Sequence, residues 1–503
     1  MDVLLGLDLG TTNCKALAVG LDGQPIASAS LPTPARILTG EDRAAPEYDA
    51  LELWHTSAAL IRQVVGNLPG ELRVAATAVA SMGEAGVLID GNGAPLTPVL
   101  TWHDPRTLPW VDWWRERISD QQVYEITGLP PDYIYSAHKL LWHRSQDPVN
   151  FRKGRAWLCL ADWVTFRLTG EFTTTYSLAS RTMLFDQRSL VWNEDLLGLA
   201  GLPASLFPKT FPSGTLIGRV TRTASGETGL PEGLPVVSGG HDHICAALAA
   251  GAITPEIILD SAGTVEALMV TLVAPSLRGE MASSGLGCGS HSARGKYYLI
   301  GGIMGGGVLA WVSRLLAGDD SPETIGSLMS EAMTVPAGAK GARFIPYLEG
   351  NGPPLRDARA WGAWLGLRLQ HTRRDLVRAC VEGLSLGIRY LLECLQSSSE
   401  EPVRELRCVG GGTRNAFWQQ IKADVMGVPI DTPAAADITA QGAALLAGIG
   451  AGAFKSETEA AASAYRTAVR YVPDSERVAY YEEVYQKEYR ELYTLYKQLR
   501  LSG

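Results

Sequence analysis

The sequence predicts a mixed α/β protein of more than one domain, on three observations. Its 503 residues allow about three domains of ordinary size or two large ones, with ample chain for buried cores. Short apolar runs of strand character alternate with segments whose apolar residues recur at helical spacing. A unit of strand, Gly-Thr turn and strand occurs near residue 10 and again near residue 263, and because identity between the halves is low it stands as a suspicion of internal duplication.

The elements follow in order. Val3 to Leu9 is an apolar run that breaks at Gly10-Thr11-Thr12-Asn13, and Lys15 to Val19 resumes it, which reads as a hairpin closed at its far end by Asp22-Gly23. Leu51 to Val65 has helical spacing, Val74 to Ser81 reads as a buried strand, and Val87 to Ile89 leads into the Asp90-Gly91-Asn92-Gly93 turn. Residues 105 to 200 read as more helical, with Trp110, Trp113, Trp114, Trp142, Trp157 and Trp163 filling a satellite core. A Pro/Gly-rich region from Leu202 to Leu234 precedes a short strand, Pro235 to Ser238, which is expected to stop at Gly239-Gly240-His241-Asp242-His243 ahead of a small-residue helix, Ile244 to Ala250. In the second half, Ile257 to Asp260 and Val265 to Thr271 flank the second Gly-Thr turn. Thr372 to Gln396 is a long helix, Leu406 to Val409 a buried strand, and Tyr480 to Leu499 a charged, tyrosine-rich terminal helix suited to pack on its own chain or on a second copy as a homodimer.

Composition narrows the function classes. With 46% apolar and 19% charged residues and a mean hydropathy of +0.03, the chain matches a globular protein. Lys+Arg 44 against Asp+Glu 53 gives −9, which argues against nucleic acid as the main partner while leaving room for a phosphate pocket lined by backbone amides. Seven scattered cysteines with no C-x-x-C suggest neither a zinc knuckle nor a disulfide framework, and fit a reducing cytoplasm. The N-terminus has no basic segment before its apolar run, and Gly442 to Phe454 is too short and Gly-rich to span a bilayer, so no export signal and no membrane partner are expected.

Four short segments carry the chemistry. Asp8-Leu9-Gly10-Thr11-Thr12-Asn13-Cys14-Lys15 sets a carboxylate at a strand end before a turn of small residues. Such a turn wraps phosphate oxygens, and an acid beside it holds Mg²⁺ through water, although a plain hairpin turn has the same look. Asp260-Ser261-Ala262-Gly263-Thr264 doubles the signal, as clamping a triphosphate between two domains needs one loop from each. Gly239 to His243 places Asp242 where a helix begins, either as the acceptor of an attacking hydroxyl's proton or as a helix N-cap; His241 and His243 lack a third ligand for a metal. Gly410-Gly411-Gly412-Thr413-Arg414-Asn415 is neither a dinucleotide fingerprint nor a P-loop; its glycines permit a flat base or ribose to lie on the backbone, or simply make a tight turn.

The order of these motifs resembles the FGGY family of carbohydrate kinases. The likeness runs from Leu5 to about Ala451 and includes Asp8-x-Gly10-Thr11-Thr12, Trp102-His103-Asp104-Pro105-Arg106, Lys139-Leu140-Leu141-Trp142, Arg167 to Glu171, the block ending at Asp242, and Gly410 to Gly412. Gly362 to Leu367 and, seven residues on, Asp375 to Glu382 look like the family's C-terminal signature, with Cys380 and His143 departing from its usual residue types. The resemblance implies two ribonuclease-H-like domains, residues 1–246 for the sugar and the catalytic base and 247–503 for ATP, with an interdomain cleft. It implies Asp242 as base, Asp8 beside Mg²⁺, and Thr11, Thr12, Lys15, Gly263 and Thr264 around the phosphates. Gly306, Gly410, Gly411 and Asn415 fall on the adenosine side.

The resemblance implies a sugar or polyol substrate, whose identity is sought in the loop Ser81-Met82-Gly83-Glu84. Glu84 occupies the place of a xylulokinase histidine and, counted back from Asp90, aligns with a polyol-binding glutamate of glycerol kinases whose preceding arginine is here Gly83. This loop, Gly240 to His243 and Tyr176 to Arg181 look most like an L-fuculokinase-like subgroup, which implies a ketopentose or deoxyketohexose. His103, Asp104 and His243 are further candidate contacts, or core and loop residues. Within the family the alternative is a polyol or gluconate kinase. Outside it, the alternative is a nucleotide-gated binding protein with residual ATPase activity, against which Asp242 between two phosphate loops argues.

Overall fold

In the computed structural model, which describes residues 2–37, 46–354 and 356–492, two sheets of matching strand order organise the chain. The first comprises β1 (Asp2–Leu9), β2 (Asn13–Gly20), β3 (Pro25–Pro32), β4 (Arg73–Ser81), β5 (Leu216–Arg219) and β6 (Pro235–His241). Helix α1 (Ala50–Gly66) precedes β4, α2 (Leu160–Thr169) precedes β5, and α3 (Asp242–Ala249) follows β6 without a break. The second sheet comprises β7 (Ile257–Ala262), β8 (Val265–Leu272), β9 (Gly287–Ser290), β10 (Tyr297–Met304), β11 (Glu405–Val409), β12 (Ile430–Pro433) and β13 (Thr467–Tyr471). Its helices are α4 (Gly306–Ala317), α5 (Arg373–Gln396), α6 (Ala416–Met426), α7 (Ile438–Gly450) and α8 (Ser475–Val484).

Across the first sheet the order is β3-β2-β1-β4-β6-β5, and across the second it is β9-β10-β8-β7-β11-β12-β13. In each, three strands form an antiparallel meander, its first strand pairs in parallel with the next, a further parallel strand follows, and an antiparallel edge strand closes the side. β1 and β7 are therefore counterparts, each carrying an aspartate near its C-terminal end, Asp8 and Asp260, and followed by a Gly-Thr turn. The repeat suspected from those turns is a repeat of the ribonuclease-H-like sheet, with β9 added at one edge.

The near-continuous apolar run of β1 reflects burial on both faces. One face of the sheet is covered by α1, which starts at the N-cap Asp49 and buries Leu53, Trp54, Leu60 and Ile61. The other is covered by α7, a helix from the second half of the chain, and α3 packs against α7 in turn. Small residues permit this closeness: a Cβ on Gly442 would lie 1.9 Å from the Cys245 carbonyl oxygen, and one on Gly6 1.9 Å from that of Ala440. Gly6→Ala must push α7 off β1, which we expect to cost about 1–3 kcal/mol in urea unfolding, whereas Gly66→Ala, with nothing within 4 Å, stays within about 0.5 kcal/mol of the parent.

Several elements differ from expectation. β6 does not stop at Ser238 but runs on to His241, because Gly239 presses on β4: a Cβ there would sit 1.8 Å from Val79 O. α3 consequently begins at Asp242, so the N-cap is His241 and Asp242 is the first helical residue rather than the cap. The Pro/Gly-rich region contains β5 and a short helix, Arg222–Thr228. Of the tryptophans, Trp114 and Trp157 are buried in the satellite core with Trp110 and Trp113 against it, while Trp163 belongs to the main core under the first sheet, where its indole donates to Ala50 O at 2.8 Å. Trp142 lies under the Arg106 guanidinium. The end of the expected terminal helix, 493–499, lies outside the described residues; α8 leads into one π-helical turn, Tyr485–Tyr489. Among the described residues no helix is long and apolar enough to cross a membrane, and none of the seven cysteines is in a disulfide.

Asp162, in the first turn of α2, is buried with Oδ2 unpaired, and burial pushes its carboxyl up to about 8. The folded state thus keeps a proton that the unfolded chain releases near pH 4, so the associated stability is full below about pH 4 and is lost as pH rises to about 8. Asp162→Asn mimics the neutral acid. Its thermal midpoint relative to the parent is expected to climb between pH 5 and 8 and level off above.

Candidate active site

The turn between β1 and β2 is held from behind. Gly10 N donates to Asn13 O at 3.2 Å, Thr33 Oγ1 to Gly10 O at 2.7 Å and Tyr48 OH to Thr11 O at 3.2 Å, while Thr12 and Asn13 are exposed. The turn between β7 and β8 is braced by the start of α4. Gly305 and Gly307 donate their amides to Thr264 O, and Gly306 donates to Gly263 O at 3.0 Å. A Cβ on Gly306 would come within 2.6 Å of that oxygen, so Gly306 supports the loop with an amide already spent.

The glycine run after β11 lies flat on the end of β7. Gly410 takes φ +88 with Ala262 O 2.8 Å from where a Cβ would be, and Gly412 is as tight against Ala262 Cβ at 2.5 Å. Gly411 faces open space, with nothing within 4 Å. Asn415 caps α6 by accepting from Trp418 N at 3.1 Å through Oδ1. The Gly-Thr turn and the glycine run lie at the ends of strands of one sheet, a cradle that side chains on Gly410 and Gly412 would fill and a nucleotide can occupy.

Near the end of β1, Asp8 is half-buried, and its Oδ1, shielded from solvent, has no partner. Burial, and then the charge of Asp242, push its carboxyl up to about 8 against the pull of Lys15, which stands opposite it in β2. Lys15 itself is bonded to Asp437 at 2.6 Å, tying the first loop to the start of α7. An orphaned carboxylate oxygen close to a second carboxylate fits a hard divalent cation, and Mg²⁺ needs only one or two such groups when phosphates and water complete its shell. Among the described residues no cluster of three or more His, Cys, Asp or Glu is built to hold a metal alone.

Asp242 opens α3 and is a quarter exposed. Its Oδ1 accepts from His243 N at 2.6 Å and lies 3.1 Å from His241 Nε2, which leaves Oδ2 outside these contacts. Burial pulls the His241 ring down to about 3, so the ring stands neutral against the carboxylate and does not compete for its proton.

A cavity of about 460 Å³ opens beside Asp242 and the first turn; Asp8, the Gly263-Thr264 turn and the glycine run after β11 do not line it. Thr11, Glu84, Asp242 and His243 line it from the first half, with Val265, Ala267 and the glycines 285, 287, 301 and 302 from the second. Asp104 does not line it: the side chain is fully buried, and both oxygens are taken by Arg106, at 2.7 Å and 3.0 Å. His103 is half-buried beside the Trp102 ring, and burial lowers its proton affinity. The lining also contains residues that the sequence reading did not single out: Trp102, Asp132, Tyr135 and Arg181. Arg181 is the telling one, because Nε donates to Glu84 Oε1 at 2.6 Å. Glu84 is 97 positions away in sequence, so no local pattern marks the pair.

Two ribonuclease-H-like sheets, a phosphate-type turn at the end of each, and a carboxylate-bearing cavity between them define a kinase of the sugar-kinase fold. Family models for the FGGY carbohydrate kinases match residues 3–249 (N-terminal domain) and 259–451 (C-terminal domain), and the chain belongs to that family. It is similar to an L-fuculokinase of Escherichia coli strain K12, 33% identical over 94% of this chain and 98% of that protein. A xylulose kinase of Staphylococcus epidermidis is 28% identical over 99% and 98%. The crystal structure of a xylulose kinase from Rhodospirillum rubrum superposes with TM-score 0.89 at 30% identity, covering 99% of each chain. The chain is therefore a carbohydrate kinase, a phosphotransferase with an alcohol group as acceptor.

Proposed function

We propose that this kinase transfers the γ-phosphoryl group of ATP to a terminal hydroxyl of a ketose, either a ketopentose or a deoxyketohexose, with Asp242 as general base. The observation that carries this reading is the position of Asp242, whose carboxylate lines the cavity together with Thr11 of the first phosphate turn. A sugar hydroxyl there stands between the base and the turn. Asp242 Oδ2 accepts the hydroxyl proton as the oxygen forms its bond to phosphorus and the bond to ADP breaks. The His243 amide holds the carboxylate by its other oxygen, with the His241 ring packed against that oxygen, so the accepting oxygen is presented in one orientation. Bound ATP with Mg²⁺ supplies the phosphoryl group and neutralises charge. Asp8 is the residue that would hold the metal, Thr11, Thr12, Gly263 and Thr264 would hold the phosphates, and Gly410, Gly411 and Asn415 the adenosine side. In this reading residues 1–246 hold the sugar and 247–503 the nucleotide, and Glu84 and His243 meet the sugar.

The ketose preference draws on the names of the relatives, an L-fuculokinase and a xylulose kinase. It is tested by ADP release with Mg²⁺ and ATP across D- and L-xylulose, D- and L-ribulose, L-fuculose, L-rhamnulose, glycerol, erythritol and gluconate. Turnover with one ketose at least tenfold above every polyol and acid supports the reading; polyol-only or gluconate-only turnover replaces the substrate class. Nucleotide binding with no acceptor at all replaces it with a nucleotide-gated binding protein.

A further inference from the structure

Arg181 lies in a slot made for it. It is buried between the two halves of the molecule, and two glycines, one from each half, leave its room. A Cβ on Gly83 would meet Arg181 Cγ and His241 Cδ2 at 2.9 Å, and one on Gly287 would come within 3.4 Å of Arg181 Nη1. The Tyr135 ring sits under the guanidinium, and the Tyr298 phenol is close by. Both ion-pair contacts to Glu84, from Nε and Nη2, end on Oε1, so Glu84 Oε2 and Arg181 Nη1 take no part in them.

The other polar groups of the lining are the carboxylic side chains of Glu84, Asp242 and Asp132, the last paired to Arg356 at 3.1 Å, the Tyr135 hydroxyl, which donates to Pro130 O, and the donor groups of Thr11, Trp102 and His243; Arg181 is the only Arg or Lys among the described residues that line the cavity. A hydroxyl can donate to such a wall, but a carbonyl oxygen accepts only and needs a donor. Building on the kinase reading above, we infer that Arg181 is a specificity-determining residue that, locked to Glu84, offers a donor beside an acceptor and so selects a carbonyl-bearing acceptor, a ketose, over the alditol of the same carbon skeleton. Gly83 is part of the device, because any side chain there displaces the arginine.

The test compares Arg181→Met and Arg181→Lys with the parent, using the ketose of the panel that the parent binds most tightly by calorimetry and the alditol made from it by reduction. Turnover and calorimetric binding are both read, so that sugar recognition is measured even if no phosphate is transferred. A charged hydrogen bond removed from the ketose predicts a 10- to 100-fold loss in ketose kcat/KM for Arg181→Met, carried mainly by KM, with the alditol changed less than threefold and ADP affinity unchanged. Arg181→Lys, which keeps the charge and serves if the methionine variant does not fold, should lose about tenfold on the ketose alone. Equal losses on both acceptors, an unchanged ketose-to-alditol ratio, or no ketose binding by the parent overturns the inference. Ketose binding that obeys the predicted ratio without phosphorylation upholds it and overturns the kinase reading instead.

Discussion

Asp242→Asn is expected to lower kcat for sugar phosphorylation by about 10²- to 10⁴-fold while leaving ADP affinity within about twofold of the parent. The substitution keeps the shape and an acceptor oxygen for the His243 amide, but the group that takes the hydroxyl proton is gone. Positioning remains intact, so KM for the sugar changes little, and the residual rate reports what alignment and charge stabilisation contribute alone. Stopped-time ADP assays with calorimetric ADP titration check both halves of the expectation. Full activity in this variant removes Asp242 from the role of base.

Lys422→Met is expected to destabilise the protein by about 3–5 kcal/mol, the largest stability effect foreseen here. Lys422 projects from α6 into the core beneath the second phosphate turn, where its ammonium is shared between Asp260 at the end of β7 and Glu266 in β8, the latter at 2.7 Å. All three side chains are fully buried. Burial alone would neutralise the lysine; Asp260 chiefly, with Cys408 and Glu266, outweighs it and holds its proton affinity well above the ordinary. Burial also pushes the Glu266 carboxyl up, with Lys422 opposing. Asp260 Oδ1 and Glu266 Oε2 already lack partners, so removing the ammonium leaves two carboxyl groups in the core with nothing to pair them. The same lysine joins α6, which follows the glycine run, to the strands of the Gly263-Thr264 turn, and KM for ATP should rise as the two loops lose their common anchor. Urea unfolding measures the first effect and ATP titration the second. Adding Asp260→Asn and Glu266→Gln should restore part of the lost stability; no loss in Lys422→Met contradicts the reading of the cluster.

What the sequence made legible is what short-range pattern encodes. The strands on either side of each Gly-Thr turn, the turns themselves and the helix after Gly410 to Gly412 are written in apolar runs that end at glycines, and they lie where those runs place them. Asp242 was legible as a residue at a helix start. Its exact place was not, because β6 continues through Gly239 only by pressing on β4, a contact between segments 160 residues apart. Long-range pairs left no local mark. Glu84 was singled out, but its partner Arg181 was not, and Asp104 gave no sign that Arg106 would take both its oxygens. Lys422 reads as an ordinary helix lysine until the fold buries it. The crossing of α7 onto the first sheet was also hidden, since its Ala- and Gly-rich sequence says that the helix packs closely without saying against what.

In a carbohydrate kinase the γ-phosphoryl group ends on a sugar oxygen. The most direct measurement follows γ-labelled ATP with the preferred ketose and separates labelled sugar phosphate from labelled inorganic phosphate. Label is expected in a sugar phosphate ester in step with ADP, and is expected to disappear from it in Asp242→Asn. Label that accumulates only as inorganic phosphate, at a rate indifferent to the ketose, would contradict it.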